Sequence, residues 1–469
     1  MTSIREGVTV AEGDPRGDLA TRGRTATGRT PAGKPKVFVG MSGGVDSSVS
    51  AALLVGQGYD VTGVYMKNWS RDLPGMKCPW ADDLADAKRV AVKLGIPFEV
   101  WDFEDAYREK VVEYMLSEFK KGNTPNPDVM CNEEIKFKLF YERAMERGAD
   151  FIATGHYARV KTEHGANAPL GGVRRSRPRM KGASPVTDRP LGRGRPEGST
   201  GASDLSPEWG IPPGSVTQLL RAVDENKDQT YFLYRISDEA LSHTLFPIGD
   251  MLKPDVKKLA EKMGLHNAYK KESMGVCFVG EVGMKDFLKE YIDIQPGEIR
   301  EAETEKILGY HEGAIFYTIG QRHGLYISGN KGEVNSGLPY YVVKKDLDRN
   351  IVYVSRNLNH SAIWTKELKL KDVLMRGGGR EESSRLGAWA GDGAWGTPDG
   401  ASATVGENAT AGPAQGASML VRLRHRAPLI PATLDGDTLH FDSEIRRPAS
   451  GQSAVFYDGE ICLGGGIIA

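Results

Sequence analysis

Two groups of residues in this chain could do chemistry, and the first is a turn rich in glycine and serine near its beginning. The run Ser42-Gly43-Gly44-Val45-Asp46-Ser47-Ser48 follows an apolar strand at Val37–Val39 and leads into an apolar helix at Val49–Gly56. Glycines let a backbone approach a phosphate closely, and N–H groups at a helix start bind anions. Asp46 repels phosphate but can hold Mg²⁺ beside it. The turn therefore predicts a nucleotide-phosphate site.

The order of residues in this turn narrows the chemistry. No Gly-Lys-Ser/Thr follows, so the turn is not a Walker A loop. It resembles the PP-loop of ATP pyrophosphatases, which cleave ATP between the α- and β-phosphates and adenylate a substrate oxygen. An ordinary glycine-rich turn is the alternative interpretation.

The second group is the cysteines, of which the chain has only four: Cys78, Cys131, Cys277 and Cys462. They are too few for a secreted disulfide framework, and none has the CxxC spacing of a zinc site. Cys131 precedes a helix predicted to begin near Glu134, where a thiol pKa can be lowered. Cys277 lies in an apolar run hinged by Gly275 and Gly280. An isolated cysteine is more often a small buried hydrophobe.

Strands and helices alternate around these residues. The predicted strands are Val37–Val39, Asp60–Tyr65, Phe98–Trp101 and Phe151–Thr154, and the predicted helices after the first are Ala81–Leu94, Tyr107–Phe119 and Glu134–Arg147. Such alternation predicts an α/β domain with a parallel sheet. Its ligands are expected at the carboxyl ends of the strands, where the glycine-rich turn lies.

Composition sets the remaining boundaries. Residues 1–35 are polar and predicted to be disordered, and about 163–215 and 377–418 read as flexible insertions. The Arg cluster at 174–179 is interpreted as a solvated loop, with RNA binding as the alternative.

The formal net charge is −1, so any nucleic-acid contact needs local patches. No apolar run is long enough to span a membrane, and no secretory signal is evident.

Six motifs in one order give a more specific indication. They are the PP-loop, Tyr65-Met66-Lys67-Asn68-Trp69, Asn126-Pro127-Asp128-Val129-Met130-Cys131-Asn132, Ala153-Thr154-Gly155-His156-Tyr157-Ala158-Arg159, Lys227-Asp228-Gln229-Thr230-Tyr231-Phe232-Leu233 and Gly275-Val276-Cys277-Phe278-Val279-Gly280. Together they resemble the tRNA-specific 2-thiouridylases, from about Lys36 to Ala469. The resemblance implies a PP-loop catalytic domain (adenine nucleotide alpha hydrolase-like) at 36–281, a small central domain at 282–340 and a C-terminal β-barrel at 341–469.

The resemblance also implies roles for individual residues. Cys131 would be the catalytic nucleophile and Cys277 the persulfide carrier, whereas Cys78 and Cys462 would be structural or surface thiols. The residues implied to bind ATP are Gly40, Met41, Ser42, Gly43, Gly44, Val45, Asp46, Ser47, Met66 and Gly155, with Asp46 also a candidate Mg²⁺ ligand. The residues implied to contact the target base are Asn126, Pro127 and Asp128. The residues implied to contact tRNA are Lys227, Asp228 and Gln229, together with Arg424 and His425 in a basic strand near the C-terminus.

The implied reaction is thiolation of the wobble uridine at C2 after adenylation of the C2 oxygen. It needs ATP, Mg²⁺ and a persulfide from a cysteine desulfurase or sulfur-relay protein. Either the terminal persulfide sulfur or a released hydrosulfide could attack, and both routes end in a Cys131–Cys277 disulfide. We expect a cytoplasmic monomer acting on the tRNA anticodon loop, with a mitochondrial or plastid location as the alternative.

Two other classes of protein remain open at the level of sequence. A different PP-loop enzyme, such as a lysidine or 2-thiocytidine enzyme or an amidotransferase-type synthetase, leaves Cys131 and Cys277 unexplained. A catalytically silent RNA-binding protein leaves the intact PP-loop unexplained.

Overall fold

The computed structural model describes residues 33–72, 80–163, 216–270, 284–325, 327, 339–376 and 417–469. Almost all of the predicted N-terminal extension and of the two predicted insertions lies outside these residues, as do Cys78 and Cys277. Every element given below belongs to one compact unit of the chain. Among the described residues, none of the helices has the length and apolar character needed to cross a membrane.

The elements run as follows. The strands are β1 (Lys36–Gly40), β2 (Asp60–Lys67), β3 (Phe98–Asp102), β4 (Phe151–Ala153), β5 (Ala158–Glu163), β6 (Val216–Arg221), β7 (Thr244–Leu245), β8 (Gly297–Glu301), β9 (Ile307–His311), β10 (Tyr341–Asp346), β11 (Ile351–Ser355), β12 (Trp364–Met375), β13 (Ala417–Arg422), β14 (Ile430–Asp435), β15 (Thr438–Arg446), β16 (Ser453–Asp458) and β17 (Ile461–Ile468). The helices are α1 (Val45–Gly56), α2 (Trp80–Leu94), α3 (Glu104–Tyr107), α4 (Glu113–Lys120), α5 (Pro127–Met130), α6 (Phe140–Glu146), α7 (Asp238–Ser242), α8 (Lys253–Lys262) and α9 (Met284–Tyr291). Two π-helical segments, Arg108–Val112 and Cys131–Leu139, join α3 to α4 and α5 to α6.

The first sheet of the fold has five parallel strands, in the order β3-β2-β1-β4-β7. The side chains of β1 alternate between its two faces: Val37 and Val39 pack with α1, α2 and α8, whereas Phe38 packs with the helices on the other side. Burial on both faces explains why the strand is apolar from Val37 to Val39. The predicted parallel α/β fold and its four strands are confirmed, and β7 adds a short fifth strand.

Two predicted helix starts are too late along the chain. The helix expected from Tyr107 begins at Glu104, and the helix expected from Glu134 begins at Pro127. Asn126 has the extended backbone of an N-cap residue, and Pro127 occupies the first turn, where its missing N–H costs nothing. Cys131 therefore lies one turn inside this helix and not ahead of it.

The second sheet has four strands, in the order β10-β11-β8-β9. Strand β11 pairs in parallel with β8, so the segment 341–355 belongs to the same sheet as 297–311. The predicted boundary between residues 340 and 341 consequently differs from the structure, in which the barrel begins at β12. Alternating sequence patterns identify strands but do not identify their partners, which explains the error.

The C-terminal strands close into a six-stranded antiparallel barrel, because β12 pairs with both β15 and β17. This confirms the predicted C-terminal β-barrel. A hairpin of the catalytic domain, β5–β6, extends the same sheet through the pairs Leu219–Cys462 and Leu220–Ile461. The barrel is thus joined to the catalytic domain by strand pairing.

Candidate nucleotide and thiol site

The PP-loop turn lies between β1 and α1 at the carboxyl edge of the parallel sheet. Its backbone is braced from within, because the N–H of Ser42 donates to Ser47 Oγ at 3.2 Å and Ser47 Oγ donates to the Gly44 carbonyl at 3.2 Å. Gly44 is the N-cap of α1 and has no side chain with which to cap the helix, although its own N–H donates to Ser42 Oγ at 3.4 Å. N–H groups at the start of a helix are able to bind an anion, so this end of α1 suits the predicted phosphate site.

Two glycines make this geometry possible. Gly43 has a φ of +75°, and a Cβ there would lie 2.3 Å from the Asp83 carbonyl oxygen. At Gly155, which follows β4, a Cβ would lie 2.5 Å from the backbone nitrogen of Ser47. Side chains are excluded at both positions because the backbones approach so closely.

Met66 completes the set of residues predicted for the nucleotide. It lies near the end of β2, and its Cε occupies the space beside Gly40, where an added Cβ would lie 2.8 Å away. The structure thus brings Gly40, Met66, Gly155 and the turn to one edge of the sheet. Their contact with ATP stays a prediction.

Asp46 has partners that sequence reasoning did not identify. Lys253, the first residue of α8, places Nζ 2.8 Å from both carboxylate oxygens, and Tyr157 donates its hydroxyl to Oδ1 at 3.0 Å. The Asp46 side chain is 29% exposed, whereas that of Lys253 is 8% exposed. Lys253 was missed because it lies in no recognisable motif, whereas Tyr157 stands inside one.

The metal prediction for Asp46 can be tested against the donor set. The described residues hold no cluster of three His, Cys, Asp or Glu side chains that could bind a metal. A single carboxylate is still sufficient for Mg²⁺ that arrives with a nucleotide, because that ion takes most of its ligands from phosphates and water. The residues present fit such an ion.

Cys131 lies in the major core of the catalytic domain and is 1% exposed. Its neighbour Asn132 donates Nδ2 to the Phe232 carbonyl at 3.1 Å, and Glu133 pairs with Arg235. The thiol-bearing helix is therefore fastened to the segment 232–235. Cys462, by contrast, sits in β17, where burial raises the pKa of its thiol to about 11. It is buried, which agrees with a structural thiol, one of its two predicted alternatives.

The run Lys227-Asp228-Gln229 divides into three different environments. Lys227 is partly exposed. The side chain of Asp228 is fully buried and accepts hydrogen bonds from Thr230 and, at 2.7 Å, from Arg422 of the barrel. Gln229 exchanges two hydrogen bonds with the backbone of Tyr157. A tRNA contact stays a prediction for all three, and what the structure shows for Asp228 is a role inside the domain interface.

Arg424 and His425 lie in a turn just after β13, not in a strand as predicted. Arg424 is exposed. The His425 ring packs on Phe232 with the ring centroids 4.6 Å apart. Burial, followed by the charge of Arg426, lowers the pKa of His425 to about 4, so this histidine is neutral at pH 7.

The segment Gln229–Phe232 connects the two halves of the site. At its start, Gln229 bonds to Tyr157, whose hydroxyl touches Asp46. At its end, the Phe232 carbonyl holds Asn132, the neighbour of Cys131. The glycine-rich turn and the helix that bears the buried thiol are thereby linked through this segment and the hydrogen bonds at its two ends.

Three known domain families match this chain in succession. The domain described as a tRNA methyl transferase HUP domain matches residues 35–177 and 213–281. The tRNA methyl transferase PRC-barrel domain matches 285–356, and the aminomethyltransferase beta-barrel domain matches 406–468. The second match ends where the four-stranded sheet ends.

Full-length relatives extend the comparison to nearly the whole chain. The tRNA-specific 2-thiouridylase MnmA of Shewanella amazonensis is 39% identical over 92% of this chain and 94% of its own. Those of Idiomarina loihiensis and Lactococcus lactis are 40% and 38% identical, covering 92% and 94% of this chain and 95% and 96% of their own. Among solved structures, an NMN synthetase from Francisella tularensis overlaps 26% of this chain and 45% of that protein at 22% identity, with a TM-score of 0.19, which is too low to support an argument.

Proposed function

Because the chain belongs to the tRNA-specific 2-thiouridylase family of sulfurtransferases, we propose that it thiolates C2 of the wobble uridine of tRNA at the expense of ATP. The observation that carries this proposal is the segment Gln229–Phe232. It links a turn suited to phosphate, beside Asp46, to the helix that bears Cys131. A turn suited to phosphate and a thiol-bearing helix that are held by the same short segment suit a reaction that activates an oxygen and then replaces it with sulfur.

Activation comes first in this proposal, because a carbonyl oxygen is a poor leaving group. The C2 oxygen of the uridine attacks the α-phosphorus of ATP, the bond to the β-phosphate breaks and pyrophosphate leaves. The N–H groups at the start of α1 stabilise the charge on the phosphates. Asp46 would hold a Mg²⁺ ion that enters with the nucleotide, and that ion would supply positive charge beside the leaving pyrophosphate.

Sulfur transfer follows, and it requires two thiols. Cys277, which lies outside the described residues, would carry the persulfide. In one route the terminal sulfur attacks C2 and AMP leaves, after which the Cys131 thiolate attacks Cys277 Sγ and releases the thiolated base. In the other route, Cys131 attacks the persulfide first and releases hydrosulfide, which then attacks C2.

Both routes balance in the same way. The sulfane sulfur is reduced, the two thiols are oxidised to a Cys131–Cys277 disulfide, and an external dithiol must reduce that bond before the next cycle. Because Cys131 is 1% exposed, its attack on the sulfur of Cys277 requires the surrounding structure to open. Reductant is abundant in the cytoplasm, where we place the reaction.

Asn126, Pro127 and Asp128 are proposed to contact the target base, since they begin the helix that carries Cys131. The base must leave its stack to reach this helix, as is general for enzymes that modify bases. Lys227 and Arg424 are proposed to bind the tRNA backbone. The sulfur would come from a cysteine desulfurase or a relay protein.

Mass spectrometry of tRNA nucleosides tests the proposal. Incubation of the protein with unmodified tRNA, ATP, Mg²⁺ and a persulfide donor should produce 2-thiouridine, AMP and pyrophosphate. Cys131→Ser and Cys277→Ser should lose 2-thiouridine formation and still bind ATP, whereas Cys462→Ser should remain active. Full thiolation by Cys277→Ser would refute the proposed sulfur route.

A further inference from the structure

We propose that Lys253 binds the phosphate groups of ATP in this PP-loop, and that it leaves Asp46 for those phosphates when the nucleotide enters. The inference rests on the proposed function, because it assumes ATP at the turn. It gives α8 a direct part in nucleotide binding, although this helix lies outside all six sequence motifs.

The first observation is the contact between the ammonium group of Lys253 and the carboxylate of Asp46. Its ammonium group lies 2.8 Å from each oxygen of Asp46, so one cation satisfies both oxygens of the carboxylate. The lysine side chain is only 8% exposed. An ammonium group with so little access to water needs an anionic partner, and Asp46 serves as one.

The second observation is that the backbone of Lys253 is fixed while its side chain can still change partner. Its N–H donates to Asp224 Oδ2 at 2.9 Å, and the next turn of α8 is buried against the core through Val256 and Ala260. Its Nζ lies 5.7 Å from the centroid of the Tyr157 ring. Four flexible methylene groups therefore carry the charge from a rigid base.

The third observation is what the turn itself lacks. A Walker A loop includes a lysine that reaches the β- and γ-phosphates, and the run from Gly40 to Ser48 contains none. Helix α8 packs against α1, the helix whose N-terminus faces the phosphate position. Lys253 thus supplies from a distant part of the chain the ammonium that this turn does not encode.

Partner exchange follows from charge. A triphosphate carries more negative charge than one carboxylate, so the ammonium of Lys253 gains by moving to phosphate oxygens. Its departure removes the ammonium from both oxygens of Asp46, although Tyr157 still donates to Oδ1, so the carboxylate can face a divalent cation without a competing ammonium. One lysine movement therefore changes Asp46 from an ion-pair partner into a metal ligand.

Lys253→Met is the direct test, with binding measured by calorimetry in the absence of tRNA. We expect Mg²⁺–ATP affinity to fall by about 10- to 100-fold, the loss expected for one charge-assisted hydrogen bond. Binding of Mn²⁺ without nucleotide, followed by electron paramagnetic resonance, should become tighter, because the competing ammonium is gone. Lys258→Met, on the exposed side of the same helix, is the matched control and should change neither quantity.

A purely structural ion pair predicts a different pattern. Lys253→Met would then lower the melting temperature and leave both affinities unchanged, a result that would overturn the inference. If the single variant does not fold, Asp46→Asn is compared with Asp46→Asn/Lys253→Met, because neither leaves an unpaired carboxylate. The double variant should bind ATP about tenfold more weakly than Asp46→Asn, and equal affinities would overturn the inference.

The two proposals fail in distinguishable ways. A wild-type protein that binds ATP but forms no 2-thiouridine would refute the proposed function and leave the Lys253 assignment standing. A wild-type protein that forms 2-thiouridine, together with unchanged ATP affinity in Lys253→Met, would refute only the assignment to Lys253.

Discussion

Asp46 and Asp228 each accept a short hydrogen bond from a cation on a distant element, yet their surroundings differ. Asp46 meets Lys253 at 2.8 Å with its side chain 29% exposed, whereas Asp228 meets Arg422 at 2.7 Å with its side chain fully buried. The first pair lies at the edge of the parallel sheet, where a ligand is expected. The second lies between the catalytic domain and the barrel.

The difference indicates which pair can exchange partners. Asp228 is surrounded by donors, including Thr230 and the backbone N–H of Ala222. The guanidinium carbon of its partner Arg422 also lies 5.3 Å from the centroid of the Tyr457 ring. A charge enclosed in this way has no access to a competing ligand. Asp46 is open to solvent on one side, so its pair can yield to phosphate and metal.

The largest effect is expected at the buried pair. Arg422→Met leaves Asp228 charged, buried and short of its main partner, which should cost about 3–5 kcal/mol of unfolding free energy. Thermal and urea unfolding would measure the loss. The double variant Asp228→Asn/Arg422→Met removes both charges and should recover much of the lost unfolding free energy. If Arg422→Met alone unfolds within about 1 kcal/mol of wild type, the buried pair is not the more tightly held of the two.

The pair at the ligand site should show the opposite balance. Asp46→Asn keeps an acceptor for Lys253, so we expect a stability loss of about 1 kcal/mol. Pyrophosphate release in the presence of substrate tRNA should fall by at least ~100-fold, because in the proposed function Asp46 would hold the metal that neutralises charge on the phosphates. Asp255→Asn, in an exposed ion pair with Lys258, is the control and should affect neither. Undiminished pyrophosphate release would remove Asp46 from the nucleotide site.

A smaller effect is expected where the turn touches β4. Gly155→Ala would push a Cβ into the backbone of Ser47, so α1 must shift, at a cost of about 1–3 kcal/mol and with weaker ATP binding. Gly56→Ala provides the control, because a Cβ there meets nothing within 4 Å. Equal ATP affinity in the two variants would mean that the close approach at Gly155 does not shape the site.

The smallest effect concerns His425 at the barrel side of the interface. Its folded-state pKa is about 4, below the ordinary 6.5, so the unfolded chain takes up a proton that the folded protein refuses. Its contribution to stability is therefore complete above pH 6.5 and is lost as the pH falls toward 4. Between pH 7 and pH 5, wild type should lose about 1.5–2 kcal/mol more than His425→Gln. If the unfolding free energies of wild type and His425→Gln change with pH in the same way, His425 is not held neutral in the folded protein.

Local patterns allowed much of this fold to be predicted from sequence. Alternating apolar segments identified the four main strands of the parallel sheet, and the glycine-rich turn identified its ligand edge. The start at Pro127 was missed because the predicted helix began only where helix-favouring residues accumulate. An Asn-Pro pair that opens a helix could have corrected it.

Long-range partners could not be predicted in this way. Nothing near Lys253 or Arg422 in the sequence indicates that each neutralises a distant aspartate, because ion pairing depends on tertiary proximity and not on local periodicity. The pairing of β8 with β11 is of the same kind. Sequence motifs thus indicated candidate residues for the chemistry but not the distant residues that pair with them.

The pairing of β6 with β17 has a consequence for how the chain is made. Residues 219 and 220 find their neighbours at 462 and 461, so β6 is synthesised long before the strand that covers its edge. At a synthesis rate of about 5–20 residues per second, the ribosome needs roughly ten seconds or more to deliver β17. During that interval the nascent hairpin offers an open edge to any passing strand, and we expect a chaperone to be most useful to this protein then.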